Sequence, residues 1–317
     1  MTGRSCDKAQ GDSRWMRSVG VILLAAIFSV CPARAQLLYK ISGNGLACPS
    51  YIVGTYHLAP ATFANKIAGI GDAINATEQV YGELKTDEML LPENARKMED
   101  AMKLPDGKTL EDVLTAGQLA EVNAFMKEML GADLSNATVA STMGRMTPQA
   151  LTTSFTALLY LQRHSGGFDP LNLIDDYFQK VAERNGEPVG GLETVDFQIS
   201  ALFSGMAMER QVELLMCLIE NRDFMTDCVD KILNAYYSQD INAVQSAMDE
   251  KLGNSCDSTP EEDAELIYER NAAWVRQMPA VMAERPTLFV VGVGHLPGDK
   301  GVLSLLGEAG YDVEACQ

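Results

Sequence analysis

Two copies of one short motif are the first candidates for chemistry. Gly54-Thr55-Tyr56-His57 and Gly292-Val293-Gly294-His295 each place a histidine three residues after a glycine. Each motif follows an apolar, strand-like run, and the run before the second motif, residues 287–291, does not alternate, which is typical of a strand buried on both faces. Open α/β sheets bind ligands at the carboxyl ends of their strands, so the two imidazoles are expected to meet in one cleft. Neutral imidazole is a common ligand of divalent transition metals, and the pair therefore predicts a metal site.

A carboxylate is expected to complete this site, and Glu83 is the first choice. It lies near the end of a predicted strand, residues 79–84. A buried strand carboxylate is costly unless it is paired or binds a metal. The predicted metal ligands are therefore His57, Glu83 and His295. The alternative for His295 is that it only caps or fills a tight turn. The third histidine, His164, is expected to contact the carboxyl end of a helix.

The elements that must position these side chains are strands at both ends of the chain. Strands are predicted at residues 37–41, 51–53, 79–84, 187–192, 287–291 and 311–316, the first two as a hairpin. Helical patterns fill most of the sequence between them. The strands that precede His57, Glu83 and His295 are expected to be parallel neighbours. The predicted fold is α/β: a central mixed, largely parallel sheet from the two chain ends with a large helical insertion at about residues 92–282.

Residues 1–35 have the pattern of a secretory signal peptide. Basic residues precede the apolar run 19–30, and Ala33-Arg34-Ala35 is a small-x-small cleavage site, so the mature chain is expected to begin at Gln36. The apolar run is too short to span a bilayer, so no stable transmembrane segment is expected after cleavage. Residues 36–317 are expected to form one domain that is periplasmic or secreted.

The net charge indicates which partners are excluded, and the cysteines indicate which disulfides can form. The net charge of −18 argues against nucleic acid and anionic membranes, both of which require a basic surface. Disulfides are plausible in an exported protein, and Cys217 is expected to pair with Cys228 across two adjacent helices. The cysteines of the predicted mature chain are odd in number, which leaves at least one thiol unpaired or intermolecular: Cys48, Cys217, Cys228, Cys256 and Cys316.

Together with further short motifs, these residues resemble a known family. The additional motifs are Gly191-Leu192-Glu193-Thr194 with Gln198, and Arg270-Asn271. In this order, with the two histidine motifs and Glu83, they resemble the TraB/GumN family, which includes the Tiki metalloproteases, over nearly all of the mature chain. The resemblance implies a Tiki-like α/β fold in which paired GxxH histidines and glutamates surround a divalent metal. It also implies hydrolytic activity in some members, but it supplies no substrate.

The resemblance also matches Glu193 and Arg270 to polar site positions of the family. The leading hypothesis is a metal-dependent hydrolase, most plausibly a peptidase, that uses Mn, Co or Zn and acts on a peptide or small-molecule substrate. Glu193 is then the general base or a further ligand, and Arg270 stabilises an oxyanion or a substrate carboxylate. The simpler alternatives are a helix-capping Glu193 and a surface ion pair for Arg270. The alternative function is a non-enzymatic exported protein that holds a metal or a haem-like ligand.

Overall fold

The computed structural model describes residues 36–165, 168–203 and 205–316, so the predicted signal peptide lies outside the described residues. Within these residues the chain forms a six-stranded mixed sheet in the order β4-β3-β5-β2-β1-β6. All six predicted strands are confirmed, with small shifts of their ends: β1 (Leu38–Gly43), β2 (Ser50–Thr55), β3 (Gln79–Gly82), β4 (Val189–Gly191), β5 (Thr287–Gly292) and β6 (Tyr311–Ala315).

The register of the parallel strands brings their carboxyl ends to one edge of the sheet. Thr55 of β2 lies opposite Gly292 of β5. On the other side of β5, Gly82 of β3 lies opposite Val290 and also opposite Gly191 of β4. The antiparallel part consists of the β1-β2 hairpin and the edge strand β6, which pairs with β1. The predicted parallel neighbours are thus confirmed, with β5 between β2 and β3.

Helices occupy most of the chain between β3 and β5, as predicted. In chain order the α-helices of the described residues are α1 (Ile70–Ala76), α2 (Thr86–Met89), α3 (Pro92–Ala101), α4 (Leu110–Val113), α5 (Ala116–Leu130), α6 (Ala137–Thr142), α7 (Pro148–His164), α8 (Ile174–Asn185), α9 (Val195–Phe203), α10 (Met208–Glu220), α11 (Arg222–Tyr237), α12 (Ile241–Met248), α13 (Pro260–Asp263), α14 (Glu269–Glu284) and α15 (Val302–Glu308). A π-helical segment, Ala264–Tyr268, joins α13 to α14.

Two predicted helices are interrupted, each for a local reason. The segment predicted as a helix over residues 62–75 begins as a 3₁₀ helix, Ala61–Lys66, and α1 starts only after Gly69, whose φ is 75°. The segment 110–130 divides into α4 and α5. The first helix ends at Val113 with Leu114 as its C-cap, and Thr115 caps the second, because its side chain and that of Gln118 bond each other's backbone N–H groups.

The buried apolar side chains of the described residues form two main clusters. The larger cluster surrounds the sheet and includes the four apolar residues in the middle of β5, residues 288–291. In this cluster Phe289 lies with Phe178 of α8 and with Trp274 and Met278 of α14. A separate cluster joins α5, α7 and α10, where the rings of Phe125 and Phe155 lie 4.5 Å apart. Among the described residues, none of the helices combines the length and apolar character needed to cross a membrane.

The predicted Cys217–Cys228 disulfide is wrong. Cys217 of α10 is bonded to Cys256, which lies in the loop between α12 and α13, and Cys228 is a free thiol that lies 3.9 Å from Glu250. The side chain of Arg210 holds this loop against α10 by donating hydrogen bonds to the carbonyl oxygens of Ser255 and Asp257. The loop, rather than the neighbouring helix, therefore brings the second sulfur to Cys217.

Candidate functional site

His57 follows the end of β2, and one of its ring nitrogens contacts a carboxylate. Its Nδ1 lies 3.2 Å from Oδ2 of Asp175, in the first turn of α8. The other oxygen of Asp175 accepts a hydrogen bond of 2.5 Å from the hydroxyl of Thr55. The carboxylate of Asp175 raises the pKa of His57 to about 9. The side chain of His57 is 66% exposed, so the site is open to solvent on this side.

Glu83 follows β3 directly, and both of its carboxylate oxygens are engaged. Oε1 accepts a hydrogen bond of 2.7 Å from the backbone N–H of Gly292, and Oε2 accepts one of 2.8 Å from Nη2 of Arg270. Burial acts to raise the pKa of Glu83, but the positive charges of His57 and Arg270 and the hydrogen bond from the Gly292 N–H together lower it. A carboxylate with these neighbours stays ionised and can act as a ligand or an ion-pair partner.

His295, at the end of β5, is buried and neutral. Its Nδ1 lies 2.7 Å from Oδ1 of Asn271, whose amide nitrogen donates to the carbonyl of Lys300, so Nδ1 carries the proton. Nε2 therefore has its lone pair free to accept, and it lies 3.3 Å from Nη1 of Arg270. Burial lowers the pKa of His295 to about 4, and the positive charge of Arg270 acts in the same direction.

The three predicted ligands converge on Gly292. A Cβ atom at this position would lie 3.2 Å from Oε1 of Glu83 and 3.5 Å from both Nε2 of His57 and Cδ2 of His295. Nε2 of His295 is 4.0 Å from Oε1 of Glu83. We call the space beside Gly292, between these three side chains, the Gly292 cradle. A side chain at residue 292 would fill it, which gives a steric reason for glycine here.

The side chains around the Gly292 cradle are of the types that bind divalent cations, two imidazoles and a carboxylate. Nδ1 of each histidine lies beside an oxygen acceptor, as in metal-binding histidines. Nε2 of His57 lies beside the cradle, whereas His295 presents Cδ2 to it and its Nε2 faces Nη1 of Arg270 at 3.3 Å. The described residues nevertheless contain no group of three or more His, Cys, Asp or Glu side chains already spaced as ligands. The guanidinium of Arg270 contacts both Glu83 and His295 and supplies positive charge there.

Arg270 and Glu193 form a buried pair behind the cradle. The side chain of Arg270 is 4% exposed and that of Glu193 is 2% exposed. Nε and Nη2 of Arg270 donate to the two oxygens of Glu193 at 2.7 and 3.0 Å, and the indole N–H of Trp274 donates to Oε1 at 2.9 Å. Arg270 also donates to the carbonyl of Leu266, in the π-helical segment that precedes α14. Such π segments are frequent at functional sites.

This geometry excludes the simpler alternatives for these two residues. Arg270 is buried, so it is not a surface ion pair, and the carboxylate of Glu193 bonds side chains instead of capping α9. Thr194 accepts a hydrogen bond from the N–H of Phe197 at 3.2 Å in that helix. The third histidine, His164, is the last residue of α7, and its Nε2 lies 2.7 Å from Oδ1 of Asp230. The role of Glu193 as a general base stays a prediction.

Sequence reasoning missed the residues that orient the histidines. Asp175 and Thr55 hold His57, and Asn271 holds His295. Asn271 was visible only as a neighbour of Arg270 in a motif. For Asp175 the sequence offers no local signal, since Asp176 follows it in the same helical turn and bonds Thr86 instead. The contact depends on how α8 packs against the end of β2.

Two comparisons of the sequence with known proteins give matches. A sequence model described as the TraB/PrgY/gumN family matches residues 37–315. The chain is 24% identical over 306 residues to "Metalloprotease TIKI2" of Xenopus tropicalis, which covers 84% of this chain and 57% of that protein. It is also 24% identical to "Metalloprotease TIKI1" of Danio rerio, with coverage of 84% and 60%.

The chain therefore spans somewhat more than half the length of these curated relatives. No solved structure gives a significant match. The family match extends over almost every described residue and includes both histidine motifs, Glu83, Glu193 and Arg270. On this ground the chain belongs to the TraB/PrgY/gumN family.

Proposed function

We propose that this protein is a metal-dependent hydrolase, with peptides as the leading substrate class. The observation that carries the proposal is the convergence of His57, Glu83 and His295 on Gly292, with each histidine oriented through its Nδ1. Relatives named metalloproteases support the same reaction class. His57, Glu83 and His295 are the residues that would hold the cation, and Mn, Co and Zn are its candidates.

A divalent cation bound there would polarise a carbonyl group and lower the pKa of a coordinated water. The chain's own residues supply orientation and charge. Arg270 is held by both oxygens of Glu193, so its guanidinium is fixed at the inner wall of the cradle. From this position it is suited to stabilise negative charge that develops on a substrate oxygen. The exposed side of His57 is the side from which a substrate can approach.

We assign Glu193 to the positioning of Arg270, because its two oxygens already accept three hydrogen bonds. A role as base or as a further ligand would require Arg270 to release it. Glu193→Gln tests this assignment. The amide weakens the buried pair with Arg270 in either role, so the unfolding free energy should fall. If Glu193 only positions Arg270, the folded variant should keep part of its cleavage, whereas loss of a base should abolish cleavage at unchanged metal affinity.

The test of the proposed function is digestion of a peptide library by the purified protein, with and without chelator. We expect cleavage that the chelator abolishes and that one of Mn²⁺, Co²⁺ or Zn²⁺ restores. Glu83→Gln should remove the restored cleavage. The matched control is Glu128→Gln, an exposed glutamate in a surface ion pair with Arg222, which should cleave as the wild type does. Metal binding without any cleavage would overturn the hydrolase and leave a non-enzymatic metal-binding protein.

We further propose that the protein acts in the periplasm or outside the cell. The Cys217–Cys256 disulfide is consistent with a protein outside the cytosol, since structural disulfides persist in oxidising compartments. The signal-peptide pattern of residues 1–35 supports the same location. Peptides or small molecules of that compartment would then be the substrates.

A further inference from the structure

The side chain of His57 is largely exposed, which makes its orientation depend on the contacts that hold the ring. Its side chain is 66% exposed, so packing against neighbours restrains the ring weakly. Nδ1 of the ring contacts Oδ2 of Asp175 at 3.2 Å. A histidine that is exposed and unrestrained loses side-chain entropy when it binds a ligand. A partner that fixes the ring beforehand removes that cost.

The carboxylate of Asp175 is held by a side chain of β2, and its helix is attached to the segment that follows His57. Its Oδ1 accepts from the hydroxyl of Thr55, a buried residue at the end of β2, and that hydroxyl also lies 3.2 Å from the carbonyl of Val291 in β5. The start of α8 is attached to the segment after His57 by two backbone hydrogen bonds. Ile174 N–H donates to the Ala59 carbonyl at 3.0 Å, and Ala61 N–H donates to the Asn172 carbonyl at 2.8 Å. The carboxylate therefore has a defined place relative to β2.

We propose that Asp175 is a positioning residue, which fixes the ring of His57 with Nε2 toward the Gly292 cradle and does so from the helical insertion. The geometry fits this role, because Nε2 lies 3.5 Å from the place of a Cβ at Gly292 while Nδ1 bonds Asp175. Carboxylates that bond the outer nitrogen of a metal-binding histidine orient the ring in this way. The inference rests on the proposed function only for the part that concerns the cation.

The chain offers a matched control in the next residue. Asp176 lies in the same turn of α8, but its carboxylate accepts from Thr86 and pairs with Lys180 at 3.3 Å, away from His57. Asp175→Ala and Asp176→Ala thus remove the same group from the same helix. Asp175→Asn is the conservative variant, because an amide oxygen can still accept a hydrogen bond from Nδ1–H.

The first readout needs no metal. With three histidines in the sequence, the ring signals can be assigned one by one in ¹H–¹³C spectra of full-length protein in chelator. In Asp175→Ala we expect the order parameter of the His57 ring to fall toward that of a freely rotating surface side chain. Asp175→Asn should be intermediate, and Asp176→Ala should match the wild type.

The second readout is the affinity for Co²⁺ by calorimetry. Loss of such an outer partner typically costs about 10- to 100-fold in metal affinity, which is the decrease expected for Asp175→Ala. Asp176→Ala should bind as the wild type does. If Asp175→Ala does not fold, Thr55→Val takes its place. That variant keeps the carboxylate but frees its Oδ1, and it should give a smaller loss in both readouts.

The two readouts separate two kinds of failure. Wild-type protein that binds no Co²⁺ would defeat the proposed metal site, while the ring order parameter would still decide the role of Asp175. An Asp175→Ala variant with wild-type ring order and wild-type Co²⁺ affinity would overturn the positioning role and leave the proposed function untouched. Equal effects of Asp175→Ala and Asp176→Ala would also overturn it, because they would show a general effect of charge on α8.

Discussion

At the scale of single residues, the predicted ligands were recognisable because each stands at a fixed short distance from the end of an apolar strand. His57, Glu83 and His295 follow β2, β3 and β5 within three residues, so local sequence carried enough information. Asp175 is 118 positions from His57 along the chain, and its contact depends on packing that no local pattern reveals. The burial of Arg270 was not predictable for the same reason.

Removal of the Arg270 guanidinium should be strongly destabilising. Arg270→Met leaves the carboxylates of Glu83 and Glu193 buried without their partner. Breaking a buried ion pair in this way costs about 3 to 5 kcal/mol of unfolding free energy. Urea unfolding in the presence of chelator measures it. The control is Arg222→Met, which removes an exposed pair with Glu128 and should cost under about 1 kcal/mol. Similar losses for the two variants would contradict the buried network.

His295 should make stability fall as the pH falls. Its pKa is about 4 in the folded protein and 6.5 when unperturbed, so the unfolded chain binds the additional proton between these values. The unfolding free energy of metal-free protein should therefore decrease from about pH 6.5 to pH 4, by about 3 kcal/mol at most. His295→Asn should have a flatter profile in this window. Glu83, whose pKa is also lowered, adds a loss of the same sign at still lower pH. An unchanged profile in His295→Asn would rule out this assignment.

At the scale of elements, strands were easier to predict than helix ends or cross-links. The strands are short segments, most of them apolar and the last one alternating, that are bounded by turn residues, so their pattern is local. The break at Gly69 follows from its positive φ, which the sequence allowed but did not require. The partner of Cys217 depends on a loop held by Arg210, and proximity along the chain therefore gave the wrong cysteine.

The Cys217–Cys256 bond should be detectable by peptide mapping of unreduced protein. We expect a cross-linked peptide that contains these two residues, with Cys228 alkylated. The bond closes a separation of 39 residues, so Cys217→Ala with Cys256→Ala should lose roughly 2 to 4 kcal/mol of unfolding free energy. Cys228→Ala is the control and should change little. A cross-link between Cys217 and Cys228 would disprove the pairing.

At the scale of the whole molecule, the sheet explains why residues from distant parts of the sequence share one site. Four parallel strands end at one edge, and each is followed within three residues by a site side chain: His57, Glu83, Glu193 or His295. The sequence predicted the class of fold and the parallel neighbours. It did not predict that β5, from the end of the chain, lies between β2 and β3, because strand order is set by contacts far apart in sequence.

Export is a property of the whole molecule that can be tested directly. The small-x-small site at residues 33–35 predicts a mature amino terminus at Gln36. Intact mass spectrometry of protein recovered from the periplasm or the medium should give the mass of residues 36–317. Recovery of the chain with residues 1–35 still attached would contradict cleavage at this site.

The central claim is that His57 and His295 act as a unit on one cation. Its direct test is calorimetric titration of Mn²⁺, Co²⁺ and Zn²⁺ into chelator-stripped protein. The variants are His57→Ala, His295→Ala, the double variant, and His164→Ala as the control outside the site. Each single site variant should lose most of the affinity, the double variant should be little worse, and His164→Ala should bind as the wild type does. Equal affinities for the wild type and both single site variants would contradict a shared metal site.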